Sequence, residues 1–420
     1  MVTHIAILGY GVVGSGIARV LQHNRSRVEK KAGRAIAVKR VLDVRDFPGD
    51  PVSSILTHNF EDILNDDEIK IVAEVIGGIE PAYTFVKQAL LRGKHVCTSN
   101  KELVIKHGAE LLEMAREREL NFLFEASVGG GIPIIRPMNL ALTTDEVAAV
   151  AGILNGTSNY ILTHMGLYGK SFAEALSEAQ ALGYAEKDPS ADVGGYDACR
   201  KLAILLSLAT GSQVDFEQIH TEGIESLARA DFAFARAFGY DIKLLADGRV
   251  TPGGVEALTA PMLVHNRHPL SNVAGVFNGV LVQAVMTDNI MFVGRGAGKL
   301  PTACAVVSDI VDITKHLNRH IIHIWSRERA AVAPVSGYIK KRMVRIEYTD
   351  KTGAMEAFRG RAEAPPCFLE EFPNQMAWIS PPETESDSAE SLKSLAQAPG
   401  VVKIHSCLRV YQPLELEADA

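Results

Sequence analysis

A chain of 420 residues exceeds one ordinary hydrophobic core, which excludes a hormone-sized peptide or miniprotein and calls for domains of roughly 100–200 residues each. With 47% hydrophobic and 22% charged residues the composition is that of a globular chain, not a disordered or fibrous one. The net charge of −7, with no long basic run, argues against a nucleic-acid partner. Cys97, Cys199, Cys304, Cys367 and Cys407 are odd in number, far apart and without a CxxC pair, as expected of a chain kept reduced. The apolar start at 5–8 has no basic flank and runs into glycines, and other apolar runs fall short of the roughly 20 residues that span a bilayer. We therefore expect a cytoplasmic enzyme or regulator with no membrane segment.

From 1 to about 135, short β-branched runs alternate with helical patterns. Strands are predicted over 4–8, 36–42, 71–76, 95–98 and 121–125, with a helix over 81–92 closed by Gly93. The expected fold class is α/β: a Rossmann-type, doubly wound parallel sheet at the N-terminus. From 136 to 300 longer helices join strands at 147–154 and 279–284, which reads as an α+β domain for substrate and dimerisation. A helix and linker over 301–335 return to the first domain. A small α+β domain over 340–420 has strands at 343–348 and 401–411, a helix at 388–397 and a loop at 380–388. There is no internal repeat.

Gly9-Tyr10-Gly11-Val12-Val13-Gly14 is a GxGxxG directly after an apolar strand and before the helical pattern 17–21. The first glycine permits a tight turn, the second lets the backbone approach a pyrophosphate, and the third lets helix and strand pack closely. The bland alternative is a plain βα turn. After the second strand Asp43 argues for NAD and Arg45 for NADP, and the sequence leaves the choice open.

Ser171-Phe172-Ala173-Glu174 is a capping box opening a helix that Gly183 closes. The segment that follows carries Glu186, Asp188, Asp192, Asp197 and Lys201. Asp197 and Lys201 stand at i and i+4, where a carboxylate can orient an ammonium. On an exposed helix this would be an ordinary surface pair. The apolar run 202–209 instead makes the helix a buried one, which favours a functional reading: a lysine able to protonate an alkoxide, and acids able to grip a substrate ammonium. Ser99-Asn100-Lys101 lies at the carboxyl edge of the fourth strand, where doubly wound folds bind ligands. Asn155, Gly156 and Thr157 form either a capped turn or a substrate loop. The 294–302 loop, with Gly298 and Lys299, lacks Walker A spacing and suits a loop closing over a cofactor.

Together GYGVVGSG at 9–16, SNK at 99–101, FEASVGGGIPI at 124–134, GILNGTSNYIL at 152–162, ALGYAEKDPSADVGGYDACRK at 181–201 and GRGAGKLPTA at 294–303 resemble the homoserine dehydrogenase family. The resemblance covers residues 1 to about 330. It implies reversible NAD(P)H-dependent reduction of L-aspartate 4-semialdehyde to L-homoserine, in threonine, methionine and isoleucine biosynthesis. It implies Lys201 as proton donor, with Glu186 and Asp197 holding the amino acid and Gly183, Asp192, Asn155, Gly156 and Thr157 completing the pocket. Lys101 would lie between nicotinamide and substrate, with Ser99, Gly77 and Gly298 at the cofactor. A structural sodium ion would sit on Glu125, Val128, Gly130 and Ile132. The family likeness further implies a homodimer or homotetramer. Residues 340–420 resemble an ACT domain at 344–348 and Asp350-Lys351-Thr352-Gly353-Ala354, implying a threonine effector; Thr352 stands where that family has proline, and Pro365-Pro366 shortens the next helix. The alternatives are a non-catalytic dinucleotide-sensing regulator, or a dehydrogenase of another amino acid semialdehyde or 2-hydroxy acid.

Overall fold

The computed structural model describes residues 2–362 and 364–415; the remainder of the expected C-terminal domain, 416–420, lies outside them. The chain forms two compact units, each discontinuous in sequence. One comprises Met1–Glu146, Ala203–Phe216 and Gly294–Ala330; the other comprises Val147–Leu202, Glu217–Val293 and Ala331–Ala420.

The first unit is built on a parallel sheet of β1 (Val2–Leu8), β2 (Ala35–Leu42), β3 (Leu56–Thr57), β4 (Ile69–Glu74), β5 (His95–Thr98) and β6 (Phe122–Leu123). The spatial order β3-β2-β1-β4-β5-β6 is that of a doubly wound dinucleotide fold, with the order reversing between β1 and β4. Ile5, Ala6, Ile7 and Leu8 are fully buried, as a strand covered on both faces requires. Two strands end earlier than their apolar runs suggest. β4 stops at Glu74 because its carboxylate accepts the N–H groups of Ile76 and Gly77 and turns the chain. β6 stops at Leu123, and the Glu125 amide turns away to the Asp309 carboxylate at 2.9 Å.

The helix Val12–His23 packs against the helix Lys299–Lys315, whose Ala303, Val306, Ile310 and Ile313 share a core with Ile5, Ile7 and Ile17. Gly16 makes that approach close: a Cβ there would lie 2.8 Å from the Lys299 carbonyl and 2.9 Å from the Ala303 methyl.

The second unit carries one large sheet in the order Asp288–Arg295, Phe277–Ala284, Val147–Ile153, Tyr240–Thr251, Gly254–His265, Val401–Val410, Arg342–Tyr348, Gln375–Ile379, Cys367–Phe368. Residues 342–410 follow a βαββαβ order, the ferredoxin-like arrangement. They are joined to the middle strands by parallel pairing of Met262 with Arg409 and Leu263 with Val410. The stretch 380–388 is not the expected loop: Glu383–Thr384 pairs with Ile339–Lys340, and Thr384 caps the helix Glu385–Ala396 by accepting the Asp387 N–H.

Charged groups tie this sheet together internally. Arg409 makes paired bonds of 2.9–3.0 Å to Glu222 and of 2.7–2.9 Å to Glu385, and Arg342 reaches Glu385 at 2.6 Å. Burial opposes ionisation of Glu222, but hydrogen bonds from His220 and Arg409 prevail and hold its pKa down at about 2. Arg345 meets the buried Asp231 at 2.8 Å.

Replacing Gly16 with alanine is expected to force the two helices apart and to lower stability by about 1–3 kcal/mol, the usual cost of overpacking. Thermal denaturation of G16A checks this, and an unchanged Tm would refute the close approach.

Candidate active site

The glycine turn after β1 is shaped by contacts that allow no side chain. Gly9 takes φ +94°, and a Cβ on Gly14 would lie 2.0 Å from the Gly9 carbonyl oxygen. Around Gly11 the space is open, and only Arg45 Nη2 comes near, 3.9 Å from where a Cβ would stand. Gly11 is the N-cap of the helix Val12–His23, which has no side-chain cap and no acid in its first turn. Its amides are left for an external anion. This cradle fits a dinucleotide pyrophosphate. Val12 is exposed, whereas Val13 and Tyr10 turn inward, Tyr10 against Phe47.

Asp43 accepts the Tyr10 N–H at 2.7 Å and three bonds from Arg45, at 3.0 Å from its amide and 2.9 Å from Nε and Nη2. The Arg45 guanidinium holds this carboxyl well below the usual carboxylate range. Both candidate selectors are therefore one ion pair, with Arg45 59% exposed and Asp43 beneath it.

The turn after β4 carries Gly77 and Gly78, both with positive φ and open space. The fully buried Glu74 holds it, accepting from Ile76 N, Gly77 N and the Thr98 hydroxyl, while burial pushes its carboxyl up. Asn100 holds it from the other side: its Nδ2 donates to the Gly78 carbonyl while its Oδ1 caps the helix Lys101–Glu117. Ser99 donates its amide to the Glu74 carbonyl, and Lys101 opens the helix. Glu74 was missed in the sequence; its one signal is an acid closing an apolar strand before two glycines. Gly298 caps the helix Lys299–Lys315 with φ +126°, and its loop presses on the 129–131 turn, where Gly131 donates to the Arg295 carbonyl at 3.0 Å.

At the turn expected to hold sodium, the Glu125 carboxylate accepts the amides of Ile134, Ile135 and Arg136 at 2.7, 3.0 and 2.7 Å. Val128, Gly130 and Ile132 are buried around the same turn. Among the described residues no group of three or more His, Cys, Asp or Glu could hold a metal.

In the second unit the polar residues converge. Asn155, just after the strand Val147–Ile153, caps the helix Gly156–Tyr168 through Oδ1, and its Nδ2 donates to Asp192 Oδ1 at 2.6 Å and Asp197 Oδ2 at 2.9 Å. Lys201 Nζ donates to the same Asp197 oxygen at 2.7 Å and to the Leu154 carbonyl at 2.8 Å. The side chains of Lys201 and Asp197 are only 12% and 9% exposed, so this pair is no surface decoration. Burial first, then the negative charge of Asp197, pushes the Asp192 carboxyl up. Thr157 Oγ1 donates to the Tyr184 carbonyl at 2.7 Å and so tethers the loop carrying Gly183 and Glu186. Those two residues are exposed, Gly183 with φ +75°. Asp188 stands apart, its side chain spent on the Ser190 amide.

A dinucleotide turn in one unit and a lysine–carboxylate cluster in the other are the parts of a dehydrogenase. Comparison with known proteins decides which. Residues 9–125 match the homoserine dehydrogenase NAD-binding domain and residues 133–311 the homoserine dehydrogenase domain. The chain belongs to the homoserine dehydrogenase family. It is 44% identical over 321 residues to the homoserine dehydrogenase of Synechocystis sp., covering 74% of this chain and 73% of that one. A crystal structure of a homoserine dehydrogenase from Thiobacillus denitrificans superposes with a TM-score of 0.89 at 34% identity, over 98% of both chains. A hyperthermophilic archaeal homoserine dehydrogenase mutant in complex with NADPH aligns at 27% identity with a TM-score of 0.64, over 75% of this chain and 98% of that one. The protein is thus an NAD(P)-dependent oxidoreductase that interconverts L-aspartate 4-semialdehyde and L-homoserine. Among the described residues no helix is long and apolar enough to cross a membrane.

The raised pKa of Asp192 gives the cluster a pH signature. Any stability from its protonated form is present below the ordinary carboxylate value of about 3.9 and is lost as pH rises through the folded-state value. At neutral pH this buried carboxylate therefore opposes folding. Asp192→Asn, whose Oδ1 can still accept from Asn155, is expected to raise Tm at pH 7 and to give no gain near pH 3.5, as read by differential scanning calorimetry.

Proposed function

We propose that Lys201 is the proton donor of the reduction, and that Asp192, Asp197, Asn155, Gly156, Thr157, Gly183 and Glu186 form the end of the site that receives the amino acid. The observation that carries this reading is the clamping of Lys201 Nζ between the Leu154 carbonyl and Asp197. An ammonium has three N–H groups. With two directed into the protein, the third is the one able to meet a substrate oxygen. The near-complete burial of the pair strengthens its field on a developing alkoxide.

When bound, the nicotinamide supplies the hydride that reaches the aldehyde carbon. As charge grows on the carbonyl oxygen, the Lys201 ammonium stabilises it and then transfers its proton, leaving a neutral amine that water recharges. In the reverse direction the neutral amine takes the homoserine hydroxyl proton. Asp192 and Asp197 give the cluster a net negative charge even with Lys201 protonated, which attracts a substrate ammonium. Glu186, on its exposed loop, adds a third carboxylate. Lys101, the second lysine of the expected catalytic set, contributes positive charge for cofactor and substrate binding.

The favoured coenzyme is NADP. The Asp43 carboxylate that would repel a 2′-phosphate is neutralised by Arg45, whose guanidinium remains largely exposed beside Gly11. Sodium, if held, takes only main-chain oxygens at Glu125, Val128, Gly130 and Ile132 and has a structural part. The family likeness supports a homodimer or homotetramer acting in the cytoplasm in threonine, methionine and isoleucine synthesis. The βαββαβ order of 342–410, with Asp350 capping the helix Lys351–Phe358, supports the ACT-like reading with threonine as effector.

Lys201→Ala is expected to lower kcat by about 10²–10⁴, the usual worth of a positioned general acid, while NADPH affinity measured by fluorescence titration is retained. Lys101→Ala should act more on KM than on kcat. Unchanged homoserine oxidation by K201A, followed at the nicotinamide absorbance, would overturn the assignment.

Arg45→Ala removes a charge-assisted contact worth about 1.5–3 kcal/mol, so kcat/KM with NADP should fall by about 10–100-fold while the value with NAD holds or rises. Equal losses with both coenzymes would count against Arg45 as the selector.

A further inference from the structure

Outside the residues assigned to catalysis, the second unit contains a cavity of about 350 Å³ between the helices and strands of its C-terminal part. Its walls include Arg359, Arg361, Ser391, Ser380, Glu383 and Trp378. The volume falls within the range of small-molecule sites, about 300–1,000 Å³. Its electrostatics are unlike those of the surrounding sheet. The buried arginines nearby each face a carboxylate: Arg342 meets Glu385, Arg345 meets Asp231, and Arg409 meets Glu222 and Glu385.

The cavity's own arginines do not. Arg361 is fixed by neutral oxygens: Nε donates to the Ala357 carbonyl at 2.9 Å, Nη1 to the Ser391 carbonyl and hydroxyl at 3.0 and 2.6 Å, and Nη2 to the Ser394 hydroxyl at 3.1 Å. Neither Arg361 nor Arg359 has a carboxylate partner among the described residues, and the Arg359 guanidinium has no hydrogen-bond partner there. The one acid of the wall, Glu383, already faces Arg342 at 3.8 Å. Two guanidinium groups therefore border one cavity with no carboxylate bonded to either among the described residues, one of them held by the helix Glu385–Ala396. An oxyanion entering the cavity would gain charge-assisted bonds from both groups. Ser391 adds a hydroxyl, and Trp378, packed edge-on against Phe358, gives an apolar wall for the body of an organic ligand.

We propose that this cavity is a binding site for a small organic oxyanion, a carboxylate or a phosphate ester, recognised by Arg359 and Arg361. The site shares Val344 with the ACT-like strand 344–348 but no residue with the Asp350 turn or with the lysine–carboxylate cluster.

The test is isothermal titration of the whole enzyme with succinate, with glycerol 3-phosphate and, as a neutral control, with glycerol. NADPH and homoserine are held saturating to fill the catalytic site without turnover. The expected result is one-to-one binding of one of the two anions and none of glycerol, weakened at least tenfold in R359E and in R361Q and unchanged in K201A. Which anion binds tells carboxylate from phosphate ester. Arg359 is exposed and ties nothing together, so R359E keeps the test valid should R361Q fold poorly. Absence of binding by both anions, binding that persists in R359E, or binding lost in K201A would each overturn the proposal.

Discussion

An ammonium removed from water needs an acceptor for each proton it cannot show to solvent, and the region around Lys201 is organised by that requirement. Leu154 offers a carbonyl because its strand ends there, at the turn capped by Asn155. Asp197 offers a carboxylate because it lies one helical turn before Lys201. Asn155 then uses one amide for three purposes: it caps its own helix, satisfies a second Asp197 interaction and brings Asp192 alongside. Loss of any one member leaves a buried charge or donor stranded, which costs more than the bond itself was worth. The cluster is therefore rigid before any substrate arrives, and rigidity of this kind is what lets a fixed charge act on a transition state without first reorganising.

The first unit meets the opposite demand. There the backbone must come close to a ligand and offer bare amides, so side chains are excluded where chain meets chain, at Gly9 and Gly14, and space is left open at Gly11. Glu74 and Asn100 support the neighbouring turn from beneath, fastening Gly77 and Gly78 from opposite sides. A loop of glycines would otherwise wander; two buried polar side chains give it one shape.

Much of this was legible in the sequence. The parallel sheet followed from apolar runs alternating with helical patterns, and the dinucleotide turn from a GxGxxG set between strand and helix. The buried pairing of Asp197 and Lys201 followed from a charged i, i+4 pair running into an apolar stretch. What was not legible depends on where side chains point. Asp43 and Arg45 read as competing selectors, yet they form one ion pair. Asn155 read as either a cap or a ligand contact, and its two side-chain ends serve different partners. Glu125 gave no sign that its carboxylate fastens the amides of 134–136. Glu74 gave almost no signal, since its partners come from two other segments. The helix Glu385–Ala396 begins inside a proline- and acid-rich stretch, where cap and helix share the composition of a loop.

The Glu222–Arg409–Glu385–Arg342 row binds the terminal strand to the middle of its sheet by charges of alternating sign. Such a row constrains how the protein can change by descent. A single substitution within it abandons two neighbours in a poorly hydrated seam, so tolerated replacements should arrive in compensating sets, such as an arginine and its glutamate exchanged together for an apolar pair. The terminal module is therefore part of the sheet it extends and not a domain on a flexible tether.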